Sequence, residues 1–213
     1  MSRLEAALLE VSAILDELRI PYMLIGGLAV AQWEEPRATL DIDIAIWVEP
    51  DQLELTVREL CLRLAPKPKE PAAFVRETRV LPAVTSQGIP VDLIFAMWPM
   101  EREAIQNAVE RTIAGKTFRV VPLEYLLFLK FTSDRGKDLD DAERLFRRHR
   151  VRIDSALMPG SRTPNPPACQ IQLWPGCHLS TSSFQVTRSR RTLRVCRQRA
   201  AGATPCACCE CQV

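Results

Sequence analysis

An apolar stretch, Leu40 to Val48, carries two carboxylates one residue apart, Asp41 and Asp43. Alternate residues of an extended strand point the same way, so the two acids share a face and Ile42 and Ile44 fill the other. Acids are rare in a run such as LDIDIAIWV unless something compensates them. Two carboxylates a few ångströms apart repel, and burying them unpaired costs several kcal/mol. A divalent cation relieves both costs, and an all-oxygen ligand set suits a hard ion such as magnesium. Upstream, Gly26-Gly27 closes the apolar run Tyr22 to Ile25, and downstream Asp92 lies in a third run, Val91 to Ala96. A glycine pair lets backbone approach closely and opens a helix N-terminus, which favours anions. Carboxylates, a hard cation and a phosphate site together are what phosphoryl transfer requires.

The remaining pattern alternates helix and strand. Ser2-x-x-Glu5 fits a capping box, and helical spacing runs from Leu4 to Leu18. Strands are expected over 22–25 and 40–48, helices over 27–34 and from 51 to about 64. A hairpin of 74–85 with 89–96 is expected to turn at Gln87-Gly88. A helix around 100–110, a short hairpin at 111–121 turning at Gly115-Lys116, and helices over 123–133 and 138–149 complete it. This order implies an α/β (α+β) domain with a mixed sheet and flanking helices over residues 1–155. Past Met158 Pro, Ser, Thr and Arg dominate without a sustained period, so 156–213 reads as a disordered tail.

Charge and cysteine divide at the same place. Residues 1–158 hold 21 Lys/Arg and 25 Asp/Glu, whereas 159–213 hold seven Arg and one Glu. The overall charge of the first part therefore does not favour a polynucleotide without local basic patches. Only Cys61 precedes residue 169, which fits a reducing cytoplasm. No run of eighteen apolar residues exists, so no membrane span is expected. The terminal Cys-x-Cys-Cys-x-Cys, with Cys169, Cys177 and His178, does not match paired zinc hooks. Neither His149 nor His178 has a Ser or Cys nucleophile context, and no Walker loop or dinucleotide fingerprint occurs.

Ile25-Gly-Gly-Leu-Ala-Val30, Arg37-Ala-Thr-Leu-Asp-Ile-Asp-Ile44, the strand acid Asp92, Leu126-Leu-Phe-Leu-Lys130 and Arg135-Gly-Lys-Asp-Leu-Asp-Asp-Ala142 occur in that order. This set resembles the nucleotidyltransferase superfamily with the polymerase-beta-type fold, and within it the small bacterial branch that includes abortive-infection (AbiEii-like) toxins. The resemblance covers roughly residues 4–155. It implies magnesium-dependent transfer of an NMP from an NTP such as ATP to an acceptor hydroxyl on RNA, protein or a small molecule, with release of pyrophosphate. It implies a cytoplasmic location and, for a toxin, an antitoxin partner. Asp41 and Asp43 would hold two magnesium ions, with Asp92 completing one shell and helping to take the proton. Gly26 and Gly27 would meet phosphate; relatives often have Ser at the second position, where Gly27 offers only its N–H. A catalytically silent nucleotide- or partner-binding module is the alternative.

Four further residues carry two readings each. Arg37 either pairs phosphate bidentately or forms an ion pair with Glu34, Glu35 or the acids. Thr39 orients Asp41 or touches phosphate. Lys130, alone among Leu126, Leu127, Leu129 and Phe131, either meets the triphosphate as nucleotide-binding and catalytic cation or snorkels to solvent. Asp138 is well placed as a helix N-cap, and the resemblance adds positioning of Lys130 or the acceptor.

Overall fold

The computed structural model describes residues 2–34, 39–113, 115–133, 135–154, 184–189 and 192–197. Helix α1 (Arg3–Glu17) starts at the expected capping box: the Ser2 hydroxyl accepts from Glu5 N–H at 3.1 Å, and Glu5 accepts from Ser2 N–H at 2.6 Å. Strand β1 (Tyr22–Leu24) leads into α2 (Gly26–Trp33), and β2 (Ile42–Trp47) carries the acids. A 3-10 turn at Pro50–Gln52 runs into α3 (Leu53–Cys61), followed by β3 (Ala65–Pro66).

Next come α4 (Pro71–Thr78), β4 (Val80–Val84) and β5 (Pro90–Ala96). The hairpin expected from residue 74 therefore begins at 80. Pro71 sits in the first helical turn, where its missing N–H costs nothing, and Arg79 closes the helix in the left-handed region at φ +61°. The turn itself lies where expected: Gly88 has φ +71° and donates to the Thr85 carbonyl at 2.9 Å. Then follow α5 (Pro99–Gln106), the hairpin β6 (Val109–Ile113) and β7 (Lys116–Val120), α6 (Leu123–Phe131) and α7 (Gly136–His149).

The seven strands form one mixed sheet in the order β3-β4-β5-β2-β1-β7-β6. Strand β2 is central, parallel to β5 and antiparallel to β1. One face carries the core: Ile42, Ile44, Ile46, Val91, Leu93, Phe95, Leu81 and Ala83 are all buried. Helix α1 lies on this face, since Tyr22, opposite Ile46, turns its hydroxyl to Ser12; burial pushes that phenol up to about 12. Each fully buried aliphatic contributes about 1.5–3 kcal/mol, so the register that sends Ile42, Ile44 and Ile46 inward is strongly set, and it sends Asp43 to the opposite face.

The chain divides into two compact units, Met1–Arg162 and Thr163–Val213. In the second unit β8 (Phe184–Ser189) pairs antiparallel with β9 (Thr192–Arg197). The rest of the expected disordered tail, 156–183, 190–191 and 198–213, lies outside the described residues. No described helix is long and apolar enough to cross a membrane.

Candidate functional site

The acids stand on the opposite face of β2 from Ile42, Ile44 and Ile46, at the end of the strand where Asp43 is only half-buried. Asp43 pairs in register with Asp92 on β5, and cross-strand partners project to the same side, so the two carboxylates are neighbours. Asp41, two residues before Asp43 and exposed, accepts a hydrogen bond from Thr39 Oγ1 at 2.9 Å. Burial first, then the negative charges of Asp41 and Asp92, raise the Asp43 carboxyl above the ordinary carboxylate range, with Lys130 and Arg135 pulling against them. The protein thus holds three acids in mutual repulsion.

Gly26 makes this arrangement possible. Its φ is +63°, a conformation that costs an L side chain about 1–2 kcal/mol. A Cβ there would lie 1.9 Å from Asp43 Oδ2, 2.7 Å from its Cγ and 2.9 Å from its Cβ. The glycine admits the Asp43 carboxylate against the first turn of α2, and the Asp43 carbonyl accepts from Ile25 N–H at 3.0 Å. Ile25, at the helix entry, provides no side-chain cap, so the first-turn amides are left for another acceptor.

A cavity of about 290 Å³ opens beside them. Gly26, Gly27, Thr39, Asp41 and Asp43 form one wall; Leu126, Leu129, Lys130, Ser133, Arg135, Lys137 and Asp138 form the other. Asp92 stands on the same sheet face beside Asp43 but outside this lining. Arg37 lies outside the described residues.

The second wall is held by a chain of alternating charges. Lys130 is buried, and its ammonium donates to Asp138 and lies 3.3 Å from Asp141 Oδ2, so it does not snorkel to solvent. Asp138 also accepts from Ser133 Oγ at 2.7 Å. Asp141 is fully buried and meets Arg144 at 2.5 Å; Arg144 reaches Glu34, just past α2, at 3.1 Å. Beside it His149 Nε2–H donates to the Trp33 carbonyl at 2.5 Å, the carbonyl being able only to accept.

Asp138 is not the helix N-cap. That place belongs to Arg135, whose carbonyl accepts from Asp138 N–H at 2.9 Å and Leu139 N–H at 3.2 Å. The helix starts two residues earlier than its acids suggest, because Gly136 and Lys137 form its first turn and free the Asp138 carboxylate to turn to Lys130. Burial alone would raise that carboxyl, but the hydrogen bonds from Lys130 and Ser133 and the nearby positive charges outweigh it and hold it below its ordinary value. A depressed folded-state value means that the group stabilises the fold above the unfolded carboxylate range and loses that contribution as pH falls through the folded value. The melting temperatures of wild type and Asp138→Asn are therefore expected to differ at neutral pH and to converge in acid, as thermal melts across a pH series would show; a constant gap would contradict the pairing.

Asp141→Asn leaves Lys130 and Arg144 without their shared carboxylate. Because Asp141 is fully buried, the expected loss is about 3 kcal/mol, readable as a lower urea midpoint.

The sequence reading did not assign Ser133, Arg135, Lys137, Asp141 or Arg144 to the site. The signal available was spacing: Asp138 and Asp141 share a helix face, and Lys130 precedes them on a short-looped helix pair.

The oxygen donors of Asp43 and its neighbouring acids are of the type a hard divalent cation takes, and the repulsion on Asp43 is of the sign such an ion relieves. Among the described residues no three His, Cys, Asp or Glu side chains are grouped closely enough to hold a metal ion by themselves.

No family model and no curated protein matches the sequence. Among solved structures, the chain is similar to the antibiotic-resistance factor ANT(2'')-Ia in solution, with 16% identity over 67% of this chain and 82% of that one, at a TM-score of 0.45. It is similar to the lincosamide antibiotic adenylyltransferase LnuA with lincomycin bound, at 12% identity, covering 66% and 95%, TM-score 0.47. A third is an antigenic nucleotidyltransferase-like protein from Paracoccidioides brasiliensis, at 18% identity, covering 68% and 75%, TM-score 0.44.

Proposed function

We propose that this chain is a magnesium-dependent nucleotidyltransferase that moves an NMP from an NTP to an acceptor hydroxyl and releases pyrophosphate. The observation that carries the reading is the Asp43 carboxylate, seated on Gly26 and flanked by Asp41 and Asp92, at the mouth of a cavity with a cationic far wall. Asp41, Asp43 and Asp92 would hold magnesium, which polarises the phosphoryl oxygens and lowers the pKa of the attacking hydroxyl.

The chain's own residues divide the work. Thr39 orients Asp41 through its hydroxyl. Gly26 and Gly27 turn the open N–H groups of the first turn of α2 toward a phosphate in the cavity. Leu126 and Leu129 give the cavity apolar surface for the nucleoside. Asp92, outside the cavity but beside Asp43, faces the acceptor and takes its proton on a carboxylate oxygen. The acceptor side therefore lies over β5, away from the nucleotide. RNA, protein and small-molecule hydroxyls all fit this chemistry, and a partner protein that blocks the cavity would act as an antitoxin.

The test is incubation with each α-labelled NTP, magnesium and cell lysate or total RNA. Label transferred to one class of acceptor, and absent with Asp43→Asn, is the expected result. NTP binding without any transfer would instead favour the silent binding module.

A further inference from the structure

The triphosphate of an NTP carries close to four negative charges, and the obvious cation for it in this cavity is Lys130. The geometry points to a different pair: we propose that Arg135 and Lys137 bind the β- and γ-phosphates, while Lys130 is a positioning residue that fixes the cavity wall. This rests on the transferase reading of the site.

The first ground is charge balance. The Lys130 ammonium is buried and already engaged by two carboxylates, Asp138 and Asp141. To meet phosphate it would have to leave Asp138 without its ion pair and the fully buried Asp141 with Arg144 alone. Arg135 and Lys137 are exposed, line the same cavity and form no ion pair among the described residues. Their charges are available at little desolvation cost.

The second ground is position. Arg135 lines the same cavity as Asp41 and Asp43 on one side and Asp138 on the other. It therefore borders the space between the acid strand and α7, where a triphosphate in this cavity would lie. Its backbone is fixed: its carbonyl accepts from Asp138 and Leu139, and its N–H donates to Ser133 Oγ at 3.3 Å. A planar guanidinium on a fixed backbone matches the two-oxygen edge of a phosphate, and the Lys137 ammonium adds a point charge.

The third ground is what the buried lysine does instead. Lys130, Asp141, Arg144 and Glu34 connect in sequence, so the cavity wall on α6 is tied to the end of α2, whose start forms the opposite wall. Lys130 keeps the walls in register rather than gripping the ligand.

The experiment is calorimetry on the full chain with magnesium, using each NTP and the matching NMP. Arg135→Gln and Lys137→Gln are expected to weaken NTP binding about tenfold each and about a hundredfold together, with NMP affinity within about threefold of wild type. Both sites are exposed, so the melting temperature should hold. Lys130→Met is expected to lower the melting temperature and weaken NTP and NMP alike, with Lys130→Arg recovering both. NTP affinity unchanged in the Arg135→Gln/Lys137→Gln double variant overturns this assignment, as does selective loss of NTP over NMP in Lys130→Arg. If wild type binds NTP, only the assignment fails; if it binds none, the transferase reading fails with it.

Discussion

Replacing Asp43 by Asn is expected to abolish NMP transfer while raising the melting temperature. The two effects have one origin. Burial and the charges of Asp41 and Asp92 raise the Asp43 carboxyl in the folded state. A carboxyl raised above its unfolded value is destabilising once ionised: the penalty is absent below the unfolded pKa, grows as pH rises through the folded value, and is complete above it. Asn occupies the same space without the charge and removes that penalty at neutral pH. It also removes a magnesium ligand and the charge that steers the reaction, so turnover should fall by about a thousandfold or more. Thermal melts with and without magnesium separate the two: the ion should stabilise wild type and leave the Asn variant nearly unmoved. Wild-type turnover in Asp43→Asn would remove the metal-centred mechanism altogether.

Gly26→Ala is expected to do the opposite to stability and the same to activity. The positive φ alone costs about 1–2 kcal/mol, and the new methyl would meet Oδ2, Cγ and Cβ of Asp43 within 3 Å. Rotating the carboxylate clears its oxygen but not its Cβ, so β2 or the start of α2 must shift. The variant should melt lower, lose transfer and lose its stabilisation by magnesium. The cause can be isolated with Gly26→Ala/Asp43→Gly: deleting the side chain that the methyl strikes should recover most stability beyond the φ cost, without recovering activity. Additive losses in that cycle would show that the two residues do not touch.

Much of this was legible in the sequence because period-two patterning and glycine placement are local signals. Leu40–Val48 could only send Ile42 and Ile44 one way and Asp43 the other, and the Gln87-Gly88 and Gly115-Lys116 turns announce themselves by residues that accept positive φ. The 74–85 strand was misjudged because Ala72, Phe74 and Val75 suit either period, while the helix is decided by Pro71 at its start and Arg79 at its end. Asp138 was read as a cap because a short-range rule favours Asp there. The rule lost to a long-range partner, Lys130, which only the packing of α6 against α7 reveals. The charges of Arg135 and Lys137 are visible in the sequence, but their lack of ion pairs among the described residues is not. A sequence shows which charges exist and not which have already been neutralised.

The contact between Arg144 and Glu34 joins residues 110 positions apart. During synthesis, the glycine helix and the acid strand leave the ribosome early, yet the wall that faces them is encoded much later, on α6 and α7. Closing so long a loop carries an entropy cost that rises slowly with length and is offset only when α7 docks. The emerging chain therefore passes through a stage with its acids in place and no cavity to serve them. The cavity is complete only once α6 and α7 have folded against the glycine helix.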